Sequence, residues 1–164
     1  MSRRLIATDM DGTLLRSDET ISPRVKAALD AAKAAGWFVV PISGRMPLNL
    51  RPIAELAGLD AQAVAGNGAV GFELQSSEWL FQHTITVEAQ FEFVHQMRRE
   101  VKGLKVAAVR NGGDTFHPER GYTGVMDPGD HGRLQAPESE SDLEEVLSQP
   151  AVKMVMRRPG VPAE

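Results

Sequence analysis

The chain contains no cysteine among its 164 residues. Disulfide bridges and thiol catalysis are therefore both excluded, and the absence is compatible with a cytoplasmic setting. It also lacks an excess of positive charge. With 18 Lys and Arg against 22 Asp and Glu, the formal net charge is −4, which gives no general pull toward nucleic acid or an anionic membrane. No apolar run approaches the roughly 18 residues of a membrane span, and the opening segment MSRRLIATDMDG is too short in apolar character for a signal peptide. Internal repeats and low-complexity tracts are absent. What remains is an ordinary soluble composition, 42% apolar and 24% charged, long enough for one domain or for a domain plus part of another.

The first 70 residues read strand–helix–strand–helix–strand. Residues 4–9 form a short apolar strand ending in a carboxylate, and a loop follows around Gly12. Ser22 is placed to cap a helix whose first residue is Pro23, where the missing N–H costs nothing. Val25, Ala28, Leu29 and Ala32 give that helix its apolar stripe, and Gly36 stops it. Residues 37–42 form a second apolar strand, residues 47–57 a second helix, and residues 61–65 a third strand. Apolar strands alternating with helices predict a parallel sheet covered on both faces. Right-handed crossovers bring the strand C-termini to one edge, where such sheets bind ligands. The loops 9–13, 43–45 and 67–69 are thus expected to meet.

Beyond residue 70 the alternation ends. Residues 70–74 and 78–83 read as a hairpin, 87–101 as an amphipathic helix, 105–110 as a strand, 141–147 as a short helix with acids in its first turns, and 152–157 as a last strand. Residues 111–135, rich in Gly, Pro and Asp, give no assignment. The expected fold class is α/β: a partial Rossmann-like three-layer parallel-sheet core over residues 1–74, followed by a partial inserted α+β cap over residues 75–164. An open sheet of three parallel strands leaves an edge unpaired, which predicts either self-association through that edge or marginal stability.

The stretch Asp9-Met10-Asp11-Gly12-Thr13-Leu14-Leu15 carries the most chemistry. Asp9 ends an apolar strand, where a carboxylate is costly to bury without a partner or a metal. Asp11 lies two residues on, near enough to serve the same site. Gly12 allows a tight turn and close approach to a ligand, and exposed amides in such a turn hold anions. Two adjacent carboxylates suit a hard cation such as Mg2+. One can attack phosphorus and the other can move a proton. The alternative from the pair alone is a polar turn whose acids cap loop amides; the apolar strand before it and Gly-Thr after it argue against that. Met10, between the acids, is a packing residue.

This stretch resembles the first motif of the haloacid dehalogenase-like hydrolases. The resemblance implies that Asp9 is the nucleophile and Asp11 the general acid/base. It also implies that Mg2+ is held at Asp9 and Asp11, by the first carboxylate and the second residue's carbonyl, with Gly12 and Thr13 beside the substrate. The second motif, a hydroxyl residue ending the next strand, is matched by Ser43-Gly44-Arg45, with Ser43 on the transferring phosphoryl group. Ser43 is also placed to cap the next helix, and Arg45 to face either substrate phosphate or a surface acid. Asn67-Gly68-Ala69 matches the Asn-Gly-Ala of the Cof-type subgroup, whose members carry a large cap after the third strand. The implied reaction is hydrolysis of a small phosphorylated metabolite, for instance a sugar phosphate, with no nucleic acid or membrane involved.

The family also uses a later Lys and a Gly-Asp-x-x-x-Asp motif to complete the metal site. Lys153 reads better as a residue of the cap strand, and Gly129-Asp130-His131-Gly132 only faintly echoes the metal motif. His83, His95, His117 and His131 show no metal spacing. Three explanations stand: the gene is truncated, a second chain supplies the rest, or Lys153 and Asp130 serve in a compact relative. A catalytically incomplete binding module is the alternative to an enzyme, and a receiver-type signalling domain fits the motif spacing poorly.

Overall fold

The computed structural model describes residues 4–126 and 139–158. The chain divides into two compact units, Met1–Gln82 and His83–Glu164.

In the first unit β1 (Arg4–Asp9) leads through α1 (Pro23–Ala34) to β2 (Trp37–Ile42), then through α2 (Pro47–Leu56) to β3 (Gln62–Ala65). Ser22 Oγ accepts the Val25 amide at 3.2 Å, and Pro23 opens α1. Strands β1, β2 and β3 are parallel neighbours. At Gly66–Gly68 the chain reverses. Gly66, Asn67 and Gly68 all take positive φ, the backbone that Asn and Gly adopt most readily. The reversal sends β4 (Val70–Glu73) back antiparallel to β3, and β5 (Trp79–Gln82) pairs with β4. The hairpin expected as the start of the cap therefore extends the core sheet to five strands, in the order β1-β2-β3-β4-β5. The unit ends after Gln82.

The expectation of a sheet covered on both faces is corrected. Residues directly opposite in paired strands share a face. Val39, Pro41, Ala63, Ala65, Val70 and Phe72 share one face and are buried. Arg51 of α2 lies over the Phe72 ring at 4.4 Å, and Lys33 of α1 donates to the Gly58 carbonyl that follows α2. Leu5, Phe38, Ile42 and Phe81 lie on the opposite face and are exposed. The reason is topological. The steps β1→β2 and β2→β3 run the same way across the sheet, so right-handed crossovers place both helices on one side.

The second unit is α+β. The helix α3 (Val87–Glu100), capped by Thr86, packs with a three-stranded antiparallel sheet of β6 (Lys105–Arg110), β7 (Thr115–Pro118) and β8 (Lys153–Arg157), in the order β7-β6-β8. The core joins Val94, Val106, Ala108, Val146, Leu147 and Ala151. Fully buried Gln90 spends its amide N–H groups on the Ile85 and Gln149 carbonyls, and the buried carboxylate of Glu119 pairs with Arg98. The expected 141–147 helix shortens to α4 (Leu143–Val146). Part of the unassigned 111–135 segment becomes β7 and a 3-10 turn at Thr123–Val125. Asp127, Gly129, Asp130, His131 and Gly132 lie outside the described residues. Lys153 is a half-buried member of β8 opposite Val109, as its strand context suggested.

Glu140 pins the Gly121–Thr123 turn. Its carboxylate accepts from the Thr123 hydroxyl, the Thr123 amide and the Gly121 amide, and these bonds, the hydroxyl first, hold it down to about 2 from an ordinary 4.5. A carboxyl depressed on folding stabilises above its unfolded value, and that contribution is lost as pH falls through the folded one. The Glu140 side-chain resonance is therefore expected to titrate near 2, with Gly121 and Thr123 amide protection lost over the same range. A midpoint near 4.5 would show that the turn is not held this way.

Candidate active site

The parallel register sets the site. Asp9, the last residue of β1, lies directly beside Ile42, the last of β2, and Ile42 lies beside Val64 of β3. The segments that follow these strands must therefore emerge at one edge. They are stapled together by their own backbones. The Ser43 amide donates to the Val64 carbonyl at 3.0 Å, the Asn67 amide to the Ser43 carbonyl at 3.1 Å, and the Gly66 amide to the Arg45 carbonyl at 2.9 Å. Between them opens a cleft of about 340 Å³ lined by Ala7, Thr8, Asp9, Ile42, Ser43, Gly44 and Asn67.

Each lining residue has a local reason for its place. Ser43 is buried, and its Oγ accepts the Arg45 amide at 3.1 Å. It does not cap α2, whose N-cap is Met46 with no side-chain bond; that expectation is corrected, because the hydroxyl is used one turn earlier. The Ser43 hydroxyl proton remains a donor by type. Gly44 leaves room for the Asn67 carboxamide: a Cβ there would stand 2.7 Å from Asn67 Oδ1. Asn67 reaches that position from a φ of 57°. Thr8 donates its hydroxyl to the Asp9 carbonyl at 3.0 Å.

The turn after β1 is anchored by Met10. Its side chain is fully buried, and its carbonyl accepts the Leu14 and Leu15 amides at 3.1 and 2.8 Å. Leu14 and Leu15 are buried behind it. Gly12 takes φ 73°, and Asp11, Gly12 and Thr13 are exposed. Asp11 does not stand alone. The Arg45 guanidinium donates to its carboxylate at 2.7 Å through Nη2 and at 3.0 Å through Nε. Nη2 also reaches Glu19 at 2.8 Å. The Arg45 hydrogen bonds, with its charge, hold the Asp11 carboxyl below the usual range against the opposing effect of burial, and the two acids push the Arg45 guanidinium up.

Of the residues singled out in the sequence, the structure brings Asp9, Ser43, Gly44 and Asn67 around one cleft. Asp11 and Arg45 form an ion pair with each other. Gly12 and Thr13 sit in the exposed turn and do not line the cleft. Glu19 and Thr8 were not anticipated. Thr8 was readable from its place one residue before a strand-end acid. Glu19 carried no signal, being one acid in a polar loop whose φ of 59° appears only in three dimensions.

The oxygen donors Asp9 and Asp11 have the right chemistry for Mg2+, which takes one or two carboxylates with waters and phosphate oxygens. The set is short, however. Among the described residues no three His, Cys, Asp or Glu side chains are grouped to hold a metal, and the Asp11 carboxylate is already engaged by Arg45. Among the described residues, no helix is long and apolar enough to cross a membrane.

Comparison with known proteins agrees with this layout. A family model described as haloacid dehalogenase-like hydrolase matches residues 6–147. The chain belongs to that family. The pyridoxal phosphate phosphatase YbhA of Escherichia coli is 37% identical over 105 residues, which are 63% of this chain and 39% of that protein. The 5-amino-6-(5-phospho-D-ribitylamino)uracil phosphatase YcsE of Bacillus subtilis is 38% identical over 66 residues, 40% of this chain and 26% of that one. Among solved structures, the subclass IIB sugar phosphatase BT4131 superposes with a TM-score of 0.68 at 21% identity, over 93% of this chain and 57% of the other. The fold is thus the α/β fold of haloacid dehalogenase-like hydrolases, and the chain spans well under two thirds of these proteins.

Gly44→Ala is expected to leave the fold intact, with a change in unfolding free energy of about 0.5 kcal/mol, while driving the Asn67 carboxamide out of the cleft. Asn67 side-chain NMR resonances that do not move in the variant would contradict the close approach.

Proposed function

We propose that this chain carries the nucleophile half of a Mg2+-dependent phosphatase acting on a small phosphorylated metabolite, working in the cytoplasm and through Asp9. The observation that carries the reading is the convergence of Asp9, Ser43, Gly44 and Asn67 from three parallel strand ends on one cleft. In this reading an Asp9 carboxylate oxygen attacks phosphorus. The new O–P bond forms as the ester O–P bond breaks, and the leaving alkoxide takes a proton from Asp11. Water then attacks the aspartyl-phosphate, Asp11 accepts its proton, and phosphate leaves with Asp9 restored. Ser43 and the backbone amides after it supply hydrogen bonds to the phosphoryl oxygens. Bound Mg2+, held at Asp9 and the Asp11 carbonyl, would supply charge neutralisation at the phosphoryl group.

Arg45 constrains this scheme. Asp11 cannot deliver a proton while Arg45 holds its carboxyl ionised, so the pair must open when substrate arrives. A phosphate dianion is the natural competitor for a guanidinium fork. The names of the two relatives, one for pyridoxal phosphate and one for a phosphoribitylamino-uracil, support a phosphomonoester substrate on a small polar metabolite. Sugar phosphates belong to the same chemical class.

A second reading has its own support. Among the described residues no three His, Cys, Asp or Glu side chains are grouped to hold a metal, and the chain spans 39% of its E. coli relative. Removing one member of an interdependent catalytic set costs most of the rate, so the isolated chain is then a catalytically incomplete part that acts with additional polypeptide.

The test is turnover of p-nitrophenyl phosphate with Mg2+. If the chain is competent alone, Asp9→Asn lowers turnover by at least about 100-fold. Equal turnover above background in both proteins removes Asp9 from the chemistry. No turnover in either selects the incomplete part.

A further inference from the structure

Arg45 joins two loops through one nitrogen. Its Nε and Nη2 grip the Asp11 carboxylate, and Nη2 also donates to Glu19 Oε1 at 2.8 Å. The Asp11 fork and the Glu19 bond together use the Nε hydrogen and both hydrogens of Nη2. Among the described residues no acceptor meets Nη1. Glu19 reaches Arg45 because its turn is closed around it. The Arg16 amide donates to the Thr20 carbonyl at 2.9 Å, and the Glu19 amide to the Arg16 carbonyl at 3.0 Å. The Asp18 carboxylate accepts the Thr20 amide at 3.0 Å and the Thr20 hydroxyl at 2.6 Å. Within that turn Glu19 takes φ 59°, a left-handed backbone that a glutamate rarely adopts. Glycine takes this backbone with less strain, so the turn alone does not call for a carboxylate.

Stability does not call for it either. The Glu19 side chain is 68% exposed and that of Arg45 28%, and an ion pair in such a setting contributes little. Glu19 does not line the cleft, so it can reach the chemistry only through Arg45. What it changes is where the guanidinium can go. With Asp11 as its sole acid, Arg45 could leave that carboxylate only by giving up every ionic bond of its side chain. With Glu19 on Nη2, it turns about a bond already made. An incoming phosphate can then take Nε and Nη1 and displace Asp11 one hydrogen bond at a time, in the forked geometry that guanidinium and phosphate share.

We infer that Glu19 is a positioning residue of this site: it retains the Arg45 guanidinium while a substrate phosphate draws Nε away from Asp11, and so frees the Asp11 carboxylate to face the leaving group. Its use rests on the phosphatase reading; its geometry rests on the Asp11–Arg45–Glu19 cluster alone. The role has a kinetic signature. Loss of the Glu19 carboxylate removes the second anchor, which slows the release of Asp11. It also removes a negative charge beside Arg45, so binding of a phosphate there does not weaken. Glu19→Gly takes away the carboxylate and suits the φ of 59°. Glu19→Gln takes away the charge and keeps the length of the side chain.

The experiment has two arms, both on the full chain. The first needs no turnover and follows the Arg45 Nε–Hε group by heteronuclear NOE. In Asp11→Ala that group is expected to stay ordered, because Glu19 still holds Nη2. In Asp11→Ala combined with Glu19→Gly it is expected to become mobile. Equal mobility of the group in these two variants overturns the inference. The second arm is p-nitrophenyl phosphate turnover with Mg2+. Glu19→Gly and Glu19→Gln are both expected to lower kcat about tenfold with KM unchanged or lower. A rise in KM at unchanged kcat overturns the positioning role, because Glu19 then serves binding alone, and so does no change in either constant. Where the wild-type chain shows no turnover, its competence alone is what fails, and the first arm decides whether Glu19 retains Arg45.

Discussion

The backbone bonds that tie the loop after β2 to the turn after β3 are the constraint on which the site depends. Three amides, of Ser43, Gly66 and Asn67, donate across that gap. They hold two loops of different strands in one position relative to Asp9, which the β1–β2 register fixes from the other side. Gly44 and Asn67 are consequences of the same closeness, one by lacking a Cβ and the other by tolerating a left-handed backbone. A site built in this way depends less on side-chain rotamers than on sheet register, which a slip of one residue would invert.

The Asp11–Arg45–Glu19 cluster adds a second condition. The carboxylate to which the family resemblance gives proton transfer is held ionised by a guanidinium from the neighbouring loop. Asp11 is about half exposed, so the pair contributes little to stability. Its consequence is chemical. It sets the protonation of Asp11 in the absence of a competing anion, and it couples that protonation to whatever next engages Arg45.

The order of elements was legible in the sequence because local rules agree with one another there. Ser22-Pro23 opens α1, Gly36 closes it, and the apolar runs 4–9 and 37–42 are strands to the residue. That Asp9, Ser43 and Asn67 share one edge was legible for the same reason, since Asp9 ends an apolar strand and the other two lie in loops that follow one. What local pattern could not show was long-range. That β4 and β5 join the core sheet depends on pairing of Ala63 with Phe72 and Ala65 with Val70. That one face of the sheet stays exposed depends on the direction of both crossovers, and Leu5 and Phe38 read in the sequence like any other core residues. The use of Ser43 one turn before α2, and the capture of Asp11 by Arg45 from 34 residues away, are tertiary events with no local signature.

Three loops converge on Asp9 around one cleft. Paramagnetic broadening of backbone amides by Mn2+, used as a substitute for Mg2+, tests it most directly. The account predicts that amides at 9–12, 43–45 and 66–68 broaden together at low Mn2+ and that Asp9→Asn removes the effect at all three. Broadening confined to other acidic surfaces, or unchanged by Asp9→Asn, would contradict it.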